Sequence, residues 1–167
     1  MEAMLATECN LLINAGSYIQ NLYSDEFYGS CFYAASKQSL ENFVDFYTSN
    51  SSLRAITLKF FDTFGEGDTR DKILNIFLNN KSEQSLLKLT PGNQELRLTH
   101  VSDIVDALIH TVGLVKKAQT PHEKYFVGSE PITLRQLSIF FEKEAGCKLN
   151  IEWGATDYRK NQPLTSF

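Results

Sequence analysis

The chain has 167 residues, enough to bury one sizeable core, or one domain with a small appendage. A net charge of −4, a pI near 5.4 and no basic run argue against a nucleic-acid footprint. Cys9, Cys31 and Cys147 lie far apart without a Cys-x-x-Cys pair, and no apolar stretch spans a membrane or starts a signal peptide, so a reducing cytoplasm is expected.

Residues 2–8 read as the last turns of a helix and Leu11 to Asn14 as a strand. Gly16 to Gly29 is polar, with Tyr18, Tyr23, Phe27 and Tyr28, and reads as a loop bordering a site. From Ser30, a candidate N-cap, Ala34, Ala35, Leu40, Phe43, Val44 and Tyr47 recur at helical spacing and predict a long helix to about Asn50. Leu53 to Phe60 is a buried parallel strand by its apolar content. Beyond the loop at Gly65 to Thr69, the pattern predicts a short helix over 71–80 and strands over 86–89 and 96–100 around the turn Pro91-Gly92-Asn93. A helix over 102–117 has Ile104, Val105, Leu108, Ile109 and Val112 as its expected apolar face, with Asp103 as its cap. Tyr125 to Val127 is a strand, Thr133 caps a helix ended by Gly146, and Leu149 to Trp153 is a last strand. Strand and helix alternate, so the class is α/β.

Tyr33 and Lys37 stand four apart on the central helix and therefore share a face. A cation beside a phenol favours the phenolate and brings proton exchange nearer neutral pH. The same two residues also fit a core-edge tyrosine beside a solvated lysine, and on the pentapeptide YAASK alone that second reading is the better one. His100, His110 and His122 form no metal spacing and read as packing or surface residues, and no Gly-x-Ser-x-Gly elbow is present.

In order along the chain, LLINAGSYIQ, YAASK, LRAITLKFFDTFGEGD, LRLTHVSDIVDAL and KYFVGSEPITLRQLSIFFEKEAG resemble successive elements of the extended short-chain dehydrogenase/reductases. The branch resembled is the NAD-dependent epimerase/dehydratase family, which acts on nucleotide sugars. NAGSYIQ and GATDYR are similar to its CDP-abequose-synthase-like 4-ketoreductases. The resemblance implies a partial Rossmann-type parallel sheet, later strands only, with a small C-terminal substrate-binding lobe. One incomplete domain is then expected, with residues 1–85 as the latter part of the sheet and 86–167 mainly as the lobe, intertwined with it.

By the same resemblance, Tyr33 is the general acid/base, Lys37 lowers its pKa and bonds the nicotinamide ribose, and Ser17 bonds the substrate oxygen. Ser17 equally suits a strand-end turn, since the commoner family spacing puts the hydroxyl at Gly16. Tyr33, Lys37, Phe61 and Thr63 would contact NAD or NADP, and Ser17, Asp62, Arg97 and Arg159 the nucleotide sugar. No metal is implied. Family members are about twice as long and begin with a glycine-rich dinucleotide fingerprint, so the sequence reads as the second half of such an enzyme, clipped at its end. Two functions are expected from this: the catalytic and sugar-binding part of a nucleotide-sugar oxidoreductase, or a non-catalytic module that keeps the sugar lobe. An open sheet edge predicts association with a second copy or with the missing N-terminal half.

Overall fold

The computed structural model describes residues 1–160 and 164–165. In chain order the elements are α1 (Glu2–Ala6), β1 (Leu11–Ser17), a 3-10 turn (Tyr18–Asn21), α2 (Phe32–Asn50), β2 (Arg54–Phe60), β3 (Asp62–Phe64), α3 (Ile73–Glu83), β4 (Leu87–Leu89), β5 (Glu95–Leu96), β6 (Leu98–His100), α4 (Val101–Leu114), β7 (His122–Val127), β8 (Ile132–Thr133), α5 (Leu134–Ala145) and β9 (Ile151–Trp153). The class is α/β, as expected. Among the described residues no helix is long and apolar enough to cross a membrane.

The chain forms two compact units, Met1–Thr63 with Thr99–Ser129, and Phe64–Leu98 with Glu130–Ser166. The first is built on a parallel sheet of order β1-β2-β7, in which Ala15 pairs with Leu58 and Leu58 with Tyr125. β2 is the central strand, and Ala55 through Lys59 are buried without a break. A strand covered on both faces needs no solvent-facing alternation. On one face Ile56 and Leu58 pack with Val115 and with Ala107 and Leu108 of α4. Ile56, Leu58 and Val115, each almost wholly buried, stabilise by roughly 1.5–3 kcal/mol apiece when removed from water. On the other face lies α2, which buries Ala34, Glu41, Val44 and Thr48.

α4 differs from expectation in the side it buries. Leu108 packs inward with Ala107, whereas Val105 is 47% exposed, Ile109 66% and Val112 57%. Asp103, Asp106 and His110 mark a polar side, but the apolar arc opposite is broad, so periodicity leaves open which part of it faces the sheet. Its cap is His100, whose ring nitrogen accepts from the Ser102 N–H, and not Asp103, which lies in the first turn.

The second unit has a parallel pair, β4 with β9, and an antiparallel pair, β5 with β8. Phe77, Leu134 and Leu137 form its core, with Leu87, Leu89, Ile151 and Trp153 against them. α5 begins as expected: Thr133 accepts from the Gln136 N–H while the Gln136 side chain accepts from the Thr133 N–H. It ends at Gly146, whose φ of 61° is the left-handed turn glycine favours. The strand expected over 96–100 is interrupted at Arg97.

Candidate active site

β1 runs to Ser17 and turns at once into the 3-10 turn that Ser17 caps. Its hydroxyl accepts from the Ile19 N–H at 3.4 Å, and its own N–H donates to Gln20 Oε1 at 2.9 Å. Ser17 is therefore a strand-end cap in its local geometry, buried at 7% exposure. Position 16 has no room for a side chain: a Cβ there would lie 2.9 Å from Thr57 Cγ2 and 3.0 Å from Lys59 Cγ. A hydroxyl-bearing residue at 16, where the commoner family spacing would place it, would force these neighbours to shift.

The loop after the turn ends at Cys31, which caps α2 through its sulfur, accepting from the Ala34 N–H at 3.5 Å. The expected cap, Ser30, lies one residue before it, with its Oγ 3.9 Å from that sulfur. The bond from Ala34 holds the exposed Cys31 thiol below its ordinary pKa, assisted by Ser30 and the Tyr33 backbone and opposed by burial.

In the first two turns of α2 stand Tyr33 and Lys37. Tyr33 is 49% exposed. The Lys37 ammonium donates to the Ala15 carbonyl at 2.8 Å and lies 5.8 Å from the centre of the Tyr33 ring. The lysine thus bridges the end of β1 to the phenol, within cation–π distance.

β2 continues into Phe61, Asp62 and Thr63. Phe61 is buried, stacked at 4.8 Å on Tyr18 and tilted against Phe126. The Tyr18 hydroxyl donates to Asp62 Oδ2 at 3.2 Å. Burial first, then the Asp62 charge and hydrogen bond, push the Tyr18 phenol far up from its ordinary pKa. Gly128 lies under the Phe61 ring, where a Cβ would come within 2.5 Å of it. Thr63 is partly buried. Tyr18 is the site residue that sequence reasoning missed; its place directly after Ser17 and the aspartate 44 positions later were the available signal.

Ser17, Tyr33, Lys37, Phe61, Asp62 and Thr63 all belong to the first unit, while Arg97 and Arg159 belong to the second. Arg97 sits in the gap between β5 and β6 and not within a strand over 96–100 as expected. Arg159 is exposed near the end of the described chain. Among the described residues no group of histidine, cysteine and carboxylate side chains is arranged to hold a metal.

Between α2 and the sheet runs a buried polar network. Glu41, 2% exposed, lies 3.2 Å from Lys59 Nζ and 3.0 Å from Lys124 Nζ. Lys124 also reaches Asp45 at 3.0 Å, and Asp45 pairs with His122 Nδ1 at 2.6 Å. His122 Nε2 meets Thr57 Oγ1 at 2.7 Å, and Asn14 donates to the same oxygen at 3.1 Å. Desolvation works to raise the Glu41 carboxyl, yet the lysines outweigh it and hold the group below its ordinary value. Asp45 is lowered in the same way, against desolvation, by Lys124 and His122, and Lys124 is raised by the two carboxylates. His122 is thus a buried bridging group and not a surface residue.

A sequence profile described as the NAD dependent epimerase/dehydratase family matches residues 2–128. The chain belongs to that family. Among curated members, it is 29% identical over 107 residues to the CDP-abequose synthase of Yersinia pseudotuberculosis, a match covering 62% of this chain and 38% of that protein. Its fold is that of solved family structures. A UDP-glucose-4-epimerase from Stenotrophomonas maltophila, with bound NAD and formylated UDP-arabinopyranose, superposes with a TM-score of 0.83 at 14% identity, over 99% of this chain and 57% of that one. A UDP-N-acetylglucosamine 4-epimerase from Methanobrevibacter ruminantium M1, in complex with UDP-N-acetylmuramic acid, gives 0.79 at 19% identity, over 99% and 56%. The chain therefore spans a little over half the length of these structures, and β1, β2 and β7 are strands of a Rossmann-type sheet.

Proposed function

We propose that this chain is the catalytic and substrate-binding portion of an NAD(P)-dependent nucleotide-sugar oxidoreductase of the 4-ketoreductase or epimerase type. The observation that carries the reading is the placement of Lys37, its ammonium fixed on the Ala15 carbonyl and 5.8 Å from the Tyr33 ring. Tyr33 is the general acid/base: its O–H donates a proton to the substrate oxygen as a carbonyl becomes an alcohol, and takes one back in the reverse direction. Lys37 supplies the positive charge that favours the phenolate. Ser17 orients the substrate oxygen from the end of β1.

An ammonium has three hydrogens, and Lys37 uses one on Ala15, so the residues present fit the ribose end of a dinucleotide. Tyr33 and Lys37 would hold that end, with Phe61 and Thr63 in its wall; NAD(P) when bound supplies hydride acceptance and donation. Asp62, oriented by Tyr18, accepts from sugar hydroxyls. Arg97 and Arg159 are assigned to the diphosphate, which a guanidinium binds through paired N–H donors. Exposed Phe32, Phe43 and Phe46 on α2 support association with a second copy of the chain.

The test is oxidation of NADH or NADPH on addition of a CDP- or UDP-linked 4-keto sugar. It is run on the chain alone and on a chimera carrying the part of the CDP-abequose synthase that the chain does not match. Tyr33→Phe should abolish turnover and leave the fold and sugar-nucleotide binding intact. Undiminished turnover in that variant would remove Tyr33 from the chemistry, and binding without turnover in both proteins would favour a sugar-binding module.

A further inference from the structure

Tyr33, Lys37 and Glu41 follow one another at four-residue steps on α2, so they form a continuous stripe along the helix. The first two members point to the candidate site. The third is turned under the helix and fully enclosed, and it carries a charge that burial alone would not tolerate. Its contacts lead to the segments that hold the other candidate residues of this unit.

Glu41 Oε2 accepts from Gln20 Nε2 at 2.9 Å, and Gln20 Oε1 accepts from the Ser17 N–H at 2.9 Å. Gln20 is itself wholly buried. One side chain therefore separates Glu41 from Ser17. The same carboxylate pairs with Lys59, whose ammonium also donates to Asn21 Oδ1 at 2.6 Å. Lys59 is the next-to-last residue of β2, two residues before Phe61, which Asp62 and Thr63 follow. Glu41 Oε1 meets Lys124 of β7, and Lys124 returns to α2 at Asp45. The 3-10 turn after Ser17, the helix bearing Tyr33 and Lys37, and the exit of β2 converge on this one carboxylate.

We propose that Glu41 is a positioning residue of the site, setting the seat of α2 against β1 and β2 and thereby the placement of Tyr33 and Lys37 relative to Ser17. The proposal rests on the reading of Tyr33 and Lys37 as the reacting pair. An apolar helix face would supply burial without fixing rotation or slide to within a fraction of an ångström. Charged hydrogen bonds are directional and fail when the groups shift. Glu41 touches no reacting atom, so its effect is on geometry alone.

The experiment uses the full chain labelled with 3-fluorotyrosine, with the Tyr33 resonance assigned by its loss in Tyr33→Phe. Glu41→Gln alone leaves the enclosed Lys59 without a countercharge, and such a variant can fail to fold. Two double variants avoid this. Glu41→Leu with Lys59→Met replaces the ion pair by hydrocarbon, a change that buried pairs often tolerate. Glu41→Gln with Lys59→Met also removes the charges but keeps an acceptor for Gln20. We expect the Leu/Met variant to stay folded, to move or split the Tyr33 fluorine resonance, and in the chimera to lower kcat by about 10²-fold with KM little changed. The Gln/Met variant should return the resonance and most of kcat toward wild type. An unmoved resonance in the folded Leu/Met variant, or no recovery in Gln/Met, would overturn the proposal. Normal turnover in Tyr33→Phe would instead sink the assignment of Tyr33, while the fluorine comparison would still report the hold of Glu41 on the helix.

Discussion

The ammonium of Lys37 donates to the carbonyl of Ala15 at 2.8 Å, so a side chain from the second turn of α2 is tied to the backbone of β1 two residues before Ser17. The tie gives the lysine a fixed address beside Tyr33. Lys37→Met removes both the tie and the cation. A hydrogen bond from a charged donor contributes about 1.5–3 kcal/mol, less where water reaches it, so the variant should unfold at slightly lower urea. Turnover of the chimera should fall by roughly 10²-fold or more, the range for loss of assisted proton transfer. Turnover within twofold of wild type would show that the cation does not act on the phenol.

Tyr18 should be the last phenol in the chain to ionise. It is enclosed, and the Asp62 carboxylate that accepts its hydrogen bond opposes a second negative charge. Absorbance near 295 nm during alkaline titration should show a late step that disappears in Tyr18→Phe. Persistence of that step would place the slow phenol elsewhere.

Two glycines in this unit are held by neighbours and not by backbone angle. A methyl at Gly128 would meet Phe61 Cδ2 at 2.5 Å, and one at Gly16 would meet Thr57 and Lys59. Forcing extra atoms into such packing typically costs about 1–3 kcal/mol. Gly128→Ala and Gly16→Ser should both lower the urea midpoint, and Gly16→Ser should not restore activity to a Ser17→Ala chimera. Equal stability of either variant with wild type would mean that the packing yields.

Stability should depend on pH through Glu41 and Asp45. Both carboxyls sit below their ordinary values of 4.5 and 3.8 when folded. Their contribution is therefore complete above those values and is lost as pH falls through the lower folded ones. Glu41→Gln, which leaves buried Lys59 without its countercharge, should cost about 3–5 kcal/mol at neutral pH. The gap between wild type and this variant should narrow in urea titrations as pH drops from 4.5 through the lower folded value, because the carboxyl of the unfolded chain takes up its proton first. A gap constant down to acid unfolding would deny Glu41 an ionised role.

The parts of this fold that depend on neighbours in sequence were legible from it. The four-residue step from Tyr33 to Lys37, the Thr133 and Gln136 box, and the glycine at 146 are each set within one or two helical turns. The cap of α2 escaped because sulfur is a weak acceptor and Ser30 beside it a better one on general grounds. The polar layer under α2 escaped for a different reason. His122 and Asp45 are 77 positions apart, and reading residues 53–60 as a buried strand does not name the carboxylate on another element that pairs with its lysine, Lys59. Nor does local pattern say that β5 and β6 break at Arg97, since the apolar residues on either side alternate through it.

The sulfur at the start of α2 has a practical consequence for anyone handling the protein. Cys31 is exposed, its thiolate is favoured, and it stands two residues before Tyr33. Reagents such as iodoacetamide should reach it ahead of Cys147, and alkylation there would cancel an acceptor that the opening of the helix uses. Preparations left without reductant should then show modification at Cys31 before they lose their fold.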